Sequence, residues 1–194
     1  MEQISNSYIH IIGNIFFNPV ISISDIVAIV TFLSAIAGGI FALKKWSWSV
    51  KQKRAEYIGK LTEKVRDNKD IAEVLYMFDY GKEWYSAAFH NGGQIETKID
   101  KTLSFFSYIC YLRDTKNITK KEFEVFEYEL VRILGNYQVQ DYLYNLYHFS
   151  HKLKRPMSFT PLLSYGKKRK ILDKAFFDLG KSQNTGIYHH YLNY

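Results

Sequence analysis

Nine cations crowd residues 151 to 194, against two acids: Lys152, Lys154, Arg155, Lys167, Lys168, Arg169, Lys170, Lys174 and Lys181. Tyr165, Phe176 and Phe177 lie among them. Clustered cations neutralise phosphates, and aromatic faces stack on bases, so the pattern suits a nucleotide or a short single-stranded nucleic acid. The densest part, Lys167, Lys168, Arg169 and Lys170, with Lys174 further along and Tyr165 for stacking, is the candidate ligand site. The same charge also fits anionic lipid headgroups at the inner leaflet, or a solvated face with no specific ligand.

Other reactive side chains do not assemble into a motif. His148 and His151 stand three apart on a predicted helix. Two imidazoles without a carboxylate or cysteine cluster make a poor metal site. His189 and His190 are adjacent and diverge on a helix or a strand. Glu122, Glu124, Glu127 and Glu129 have the spacing of a solvated helix face. Gly166-Lys167 has the look of a phosphate loop, but the glycine needed five residues earlier is Pro161, and no strand precedes it. No serine sits in a nucleophile elbow, and Cys110 lies in the apolar run Phe105 to Cys110 as a small hydrophobe. These residues imply no enzyme, no metal and no cofactor.

The elements that must position the basic cluster begin with an abrupt change of composition. Residues 1 to 43 carry only Glu2 and Asp25 and no lysine or arginine. Residues 44 to 54 then add Lys44, Lys45, Lys51, Lys53 and Arg54 with no acid, whereas residues 55 to 150 hold 12 basic and 15 acidic residues. The net charge of +7 thus resides beside the apolar run and in the C-terminal quarter. From Ile26 to Leu43 the chain is uncharged, and at about 1.5 Å per residue the run covers roughly 27 Å, close to a bilayer's hydrocarbon thickness. Ser24 or Asp25 can cap it, and Trp46 and Trp48 suit the water–lipid boundary at its far end. A cleaved signal peptide carries its charge before the apolar run, not after it. The reading is a single membrane span over residues 25–46, N-terminus outside, in a bacterial inner membrane, with the rest cytoplasmic.

Within that run Ala28, Thr31, Ala35, Gly38 and Ala42 recur at spacings of 3, 4, 3 and 4. Small residues on one stripe let helix backbones approach closely, which suits a homo-oligomer in lipid; a plain monomeric anchor is the alternative. Residues 1–24, with Ile9, Ile11, Ile12, Ile15, Phe16 and Phe17, are too short to span and read as an extracytoplasmic or interfacial segment.

Residues 47–156 read as helices throughout. Val50, Tyr57, Ile58, Leu61 and Val65 mark one apolar face on a helix continuing from the span. Ile71, Val74, Leu75 and Phe78 form a second, and Ile95, Ile99, Leu103, Phe106 and Cys110 a third. Thr119 to Glu122 is a capping box opening a helix with Phe123, Phe126, Leu130 and Ile133 inward. After Gly135-Asn136 a further helix carries Val139, Leu143, Leu146, Phe149 and Leu153 towards Pro156. Residues 81 to 93 are the clearest loop. In the basic part, 157–194, the reading is a linker from Met157 to Tyr165, then a helix from Lys168 to Leu179. The tail Tyr188 to Tyr194 is polar-aromatic, open to docking or fraying. The fold class is all-α: one N-terminal transmembrane helix followed by a small cytosolic bundle.

Five segments carry a resemblance: Arg54-Ala-Glu-Tyr-Ile; Ile71 to Tyr80; Ile99-Asp100-Lys-Thr-Leu-Ser-Phe-Phe; Glu122-Phe-x-x-Phe-Glu-Tyr-Glu-Leu; and Val139-Gln-Asp-Tyr-Leu. Together they resemble small bacterial proteins that pair one N-terminal span with a helical cytosolic domain, including membrane effectors of anti-phage systems of the Hailong type. The resemblance covers about half the chain and rests on apolar spacing. It implies an oligomeric channel controlled by an oligonucleotide, with the nucleotidyltransferase that makes that signal as partner. It maps no binding residue. The rival reading is a membrane-tethered scaffold without channel activity. The charge asymmetry predicts that a reporter cysteine at Ser5 labels from outside intact cells and one at Asn184 does not; the reverse pattern would overturn the orientation.

Overall fold

The computed structural model describes residues 22–81, 83–179 and 188–192, and among them all regular structure is helical. The order is α1 (Ile23–Asp67), α2 (Lys69–Asp79), α3 (Gln94–Asp114), α4 (Lys120–Gly135), α5 (Tyr137–Lys152) and α6 (Thr160–Lys168), then a 3-10 turn, Ala175–Phe177. The all-α expectation is met. The chain divides into two compact units, Met1–Lys53 and Arg54–Tyr194. The expected interfacial segment lies outside the described residues except at its last three positions.

In the first unit, the apolar part of α1 is long and apolar enough to cross a membrane: its best eighteen-residue window has a mean hydropathy of 2.5, and none of that window is buried. Ile26, Val27, Val30, Phe32, Leu33, Phe41 and Leu43 are all exposed. The cap is Ser22 rather than Ser24 or Asp25. The Asp25 carboxylate accepts from the Ser22 amide at 3.0 Å, so the acid three residues into the helix reaches back to its cap.

The second unit is a bundle centred on α3. Ile99, Leu103, Phe106 and Ile109 of α3 are fully buried, with Leu130, Ile133 and Leu134 of α4 and Val139 and Leu143 of α5. Helix α3 packs against α2, α4 and α6, and α4 against α5. From α1 only Ile58 and Leu61 are buried, and Val65 is half-buried against the core. Val50, Tyr57, Ile95 and Leu153, assigned above to inward faces, are exposed. Each lies at or beyond the edge of its helix's packed surface, where periodicity continues but a neighbour does not. The Thr119–Glu122 capping box is present, with Thr119 N–H donating to Glu122 at 2.6 Å. Burial pushes the Cys110 thiol up to about 12, so at neutral pH it is protonated and unreactive.

The C-terminal part differs from the reading of the sequence. Residues read as linker form α6, and the helix expected from Lys168 to Leu179 is a turn followed by the short 3-10 element. Pro161 starts the helix instead of breaking it, because the first turn needs no N–H from that position. Leu162, Leu163, Tyr165 and Gly166 are its buried side. Three helices, α3, α5 and α6, end in the same way, with a lysine at positive φ: Lys116, Lys154 and Lys170. In each the next residue's amide bonds back to the carbonyl of the helix's third-last residue: Asn117 to Leu112, Arg155 to Ser150, and Ile171 to Gly166. The turn after α6 folds Leu172 back over Gly166, where an added Cβ would meet Leu172 Cδ1 at 2.8 Å and Leu134 Cδ1 at 3.3 Å.

Two substitutions read this construction. Gly166→Ala forces Leu172 out of its place and is expected to destabilise by about 1–3 kcal/mol. Lys116→Gly removes the left-handed penalty of a side chain and is expected to be neutral or stabilising by up to about 1 kcal/mol. Chemical denaturation of the solubilised protein measures both; a neutral Gly166→Ala refutes the close approach.

Candidate functional site

The basic cluster sits at the C-terminal end of α6, where cations meet the negative end of the helix dipole. That placement alone accounts for part of the charge run, and the neighbours account for more. Lys168 Nζ lies 3.1 Å from Asp114, and Arg169 pairs with Glu127. Tyr165 is not available for stacking: it is buried, its hydroxyl donates to Glu127 at 3.3 Å, and the Arg113 guanidinium lies 5.6 Å from its ring. Burial also holds its phenol above the usual range. Tyr165, Lys168 and Arg169 therefore belong to the joint between α6, α3 and α4, not to a ligand platform.

The remaining members are brought together. Lys167, Lys170 and Lys174 line a cavity of about 480 Å³ with Leu172, Asp173 and Phe177. All three lysines are exposed, Phe177 is half-buried, and Lys167 Nζ stands 4.8 Å from the centre of its ring. The left-handed turn at Lys170 makes this possible, since on a continued helix the four successive cations would have spread around the axis. Phe177, rather than Tyr165, is the aromatic face. Asp173 is occupied within the fold: its Oδ1 accepts from the Phe176 amide at 2.8 Å and from the Tyr188 hydroxyl at 3.1 Å. Three cations, one aromatic ring and a hydrogen-bonded carboxylate can hold a polyanion carrying a flat ring.

The structure shows a buried polar row on α5, Gln138, Asp141, Asn145 and His148, of which only His148 is a candidate from the sequence. The row's 3, 4, 3 spacing runs alongside the apolar positions Val139, Leu143 and Leu146. Gln138 Oε1 accepts from the Trp84 and Tyr85 amides at 2.7 and 2.9 Å, fixing the loop between α2 and α3. Asp141 and Asn145 bind the tail, and His148 Nε2 lies 3.0 Å from the Phe176 carbonyl. Burial keeps His148 below the ordinary imidazole range, which suits a neutral ring donating to that carbonyl. His151 is exposed, and among the described residues no group of three or more potential metal ligands occurs.

On α1 the stripe residues Ala28, Thr31, Ala35, Gly38 and Ala42 are exposed. The Thr31 hydroxyl donates to the Val27 carbonyl at 2.8 Å, so it needs no outside partner. An added Cβ at Gly38 meets nothing within 4 Å. Both Ala35 and Gly38 are exposed, so Ala35→Leu and Gly38→Leu place their added bulk on the helix surface and are expected to act on assembly. Light scattering of detergent-solubilised protein is expected to show a smaller particle for these two and not for bulk added at Ile36 or Ile40; equal effects on both faces remove the seam. Compared with known proteins, the chain matches no protein-family model, no curated protein and no solved structure.

Proposed function

We propose that this protein is an oligomeric membrane effector, a channel or membrane-disrupting assembly, controlled by a nucleotide or oligonucleotide held at the cytosolic lysine cavity. One observation carries the ligand half: Lys167, Lys170 and Lys174 line one cavity with Phe177, and Lys167 stands over its ring, while their neighbours Lys168 and Arg169 are paired with acids. The membrane half rests on the exposed apolar part of α1, followed by Lys44, Lys45, Lys51 and Lys53. Ten large apolar side chains between Ile26 and Leu43 are exposed; left in water on one helix they are costly, at about 25 cal/mol per Å² of apolar surface, and lipid relieves that cost. Charge asymmetry supports an outside N-terminus and a cytoplasmic bundle. The resemblance to Hailong-type effectors supports a role in bacterial anti-phage defence, with a signal-making nucleotidyltransferase as partner. Small residues along the span support self-association.

A second reading, a membrane-tethered scaffold, is favoured by a separate surface. Tyr76 and Tyr80 stack at 6.2 Å in the open beside Ile95, an apolar area suited to a protein partner.

Anisotropy of a labelled single-stranded hexanucleotide against salt tests the ligand reading. Replacing Lys170 and Lys174 by Gln is expected to weaken binding and flatten the slope of log affinity against log salt by roughly one unit. Replacing Lys168 and Arg169 by Gln leaves the slope nearly unchanged. Dye release from liposomes reconstituted with the protein should respond to the oligonucleotide and lose that response with the first pair. No affinity at low salt, or binding of anionic liposomes through the same lysines, sinks this reading. A stable protein complex without any permeability change favours the scaffold.

A further inference from the structure

A short stretch of tail links the lysine cavity to the loop between α2 and α3. Tyr188 donates to Asp173 of the cavity wall, and its ring stacks on Tyr144 of α5 at 4.7 Å and 14°. From there the chain runs along the polar row of α5. The His189 amide donates to Asp141 Oδ1 at 3.1 Å, and its Nδ1 lies 2.8 Å from Oδ2 of the same carboxylate. Asn145 donates from Nδ2 to the His189 carbonyl at 2.7 Å. Its Oδ1 accepts from the amides of Tyr191 and Leu192 at 2.8 and 3.1 Å. The Tyr191 ring then meets the edge of Tyr85, in the loop between α2 and α3, at 4.9 Å. Five residues thus touch the cavity, α5 and that loop in succession.

We propose that Tyr188–Leu192 is a strap whose docking is coupled to occupancy of the lysine cavity, tightening when a polyanion binds. The proposal rests on the ligand reading given above and names its regulation. The reason is electrostatic. A phosphate among Lys167, Lys170 and Lys174 lies beside the Asp173 carboxylate, and two anions at close range repel. Hydrogen-bond donors to that carboxylate offset the repulsion, and each becomes worth more once the second anion is present. The Phe176 amide is one donor, fixed by the 3-10 turn. The Tyr188 hydroxyl is a second, and it is in place only when the strap is docked. Reciprocity follows: a docked strap strengthens anion binding, and a bound anion holds the strap. The strap's other end carries that change to the loop between α2 and α3 through Tyr191 and Tyr85.

The test is hydrogen exchange of the full-length, detergent-solubilised protein with and without the single-stranded hexanucleotide. The amides of His189, Tyr191 and Leu192 are expected to exchange about five- to tenfold more slowly when the oligonucleotide is bound. Tyr188→Phe keeps the ring and its stacking but removes the donor, so it should weaken oligonucleotide binding by a similar factor. It should also abolish the ligand-dependent slowing, while Phe176→Leu packing changes provide no such selective loss. If the oligonucleotide binds and the tail amides exchange at unchanged rates in the wild-type protein, the strap is a fixed part of the fold and the coupling is wrong. If no oligonucleotide binds at all, the ligand reading fails and the coupling falls with it.

Discussion

Asn145 is completely buried, and each of its four hydrogen bonds goes to backbone: the carbonyls of Asp141 and His189, and the amides of Tyr191 and Leu192. A buried carboxamide left unpaired costs about 1–3 kcal/mol for each unmet group, so the tail's position and the amide's burial require one another. The same holds along the helix for Gln138 with the loop amides, Asp141 with His189 and His148 with the Phe176 carbonyl. One helix face thereby gathers the segments that have no regular structure of their own. Without that row, the loop after α2, the 3-10 turn and the tail would each present backbone groups to an apolar core with nothing to meet them.

The aromatic content acts through this arrangement. Trp84, Tyr85, Phe89, His90 and Tyr142 pack edge-to-face and stacked around Tyr142 of α5, with centroids between 5.2 and 6.0 Å. Tyr144, Tyr147, Phe176, Phe177 and Tyr188 form a second group around Tyr144 and Tyr147. Tyrosine suits such places because its ring fills space while its hydroxyl reaches a polar partner, as Tyr142 does with Asp100. Burial raises the Asp100 carboxyl even though the Tyr142 hydroxyl, donating to it, pulls the other way. The two aromatic groups are joined by the polar row, and the tail bridges them.

Charge is organised by a different constraint, the ends of helices. Cations gather where α3, α5 and α6 stop, and each stop places a lysine in left-handed backbone. At α6 this divides one run of four cations into two roles: Lys168 and Arg169 pair with acids of α3 and α4, while Lys167 stands over the Phe177 ring and Lys170 lines the same cavity. A run that reads as a single patch along the chain is therefore half joint and half open surface.

From the sequence alone came the all-α class, the long apolar helix, the capping box at Thr119 and the inward faces of α2, α4 and, apart from Ile95, α3. These depend on local periodicity and capping, which three to four residues of spacing express directly. Three things needed the folded chain. Met157 to Tyr165, with Pro161 inside, reads as a linker until α6 finds a surface on α3, after which the proline sits in a helix's first turn. Tyr165 and Phe177 are equally aromatic and equally close to lysines in sequence, and only packing against Glu127 and Arg113 takes the first out of reach of a ligand. The polar row on α5 looks solvated by composition, because its partners are backbone groups 28 to 54 residues away, and no local pattern records where a distant amide will lie.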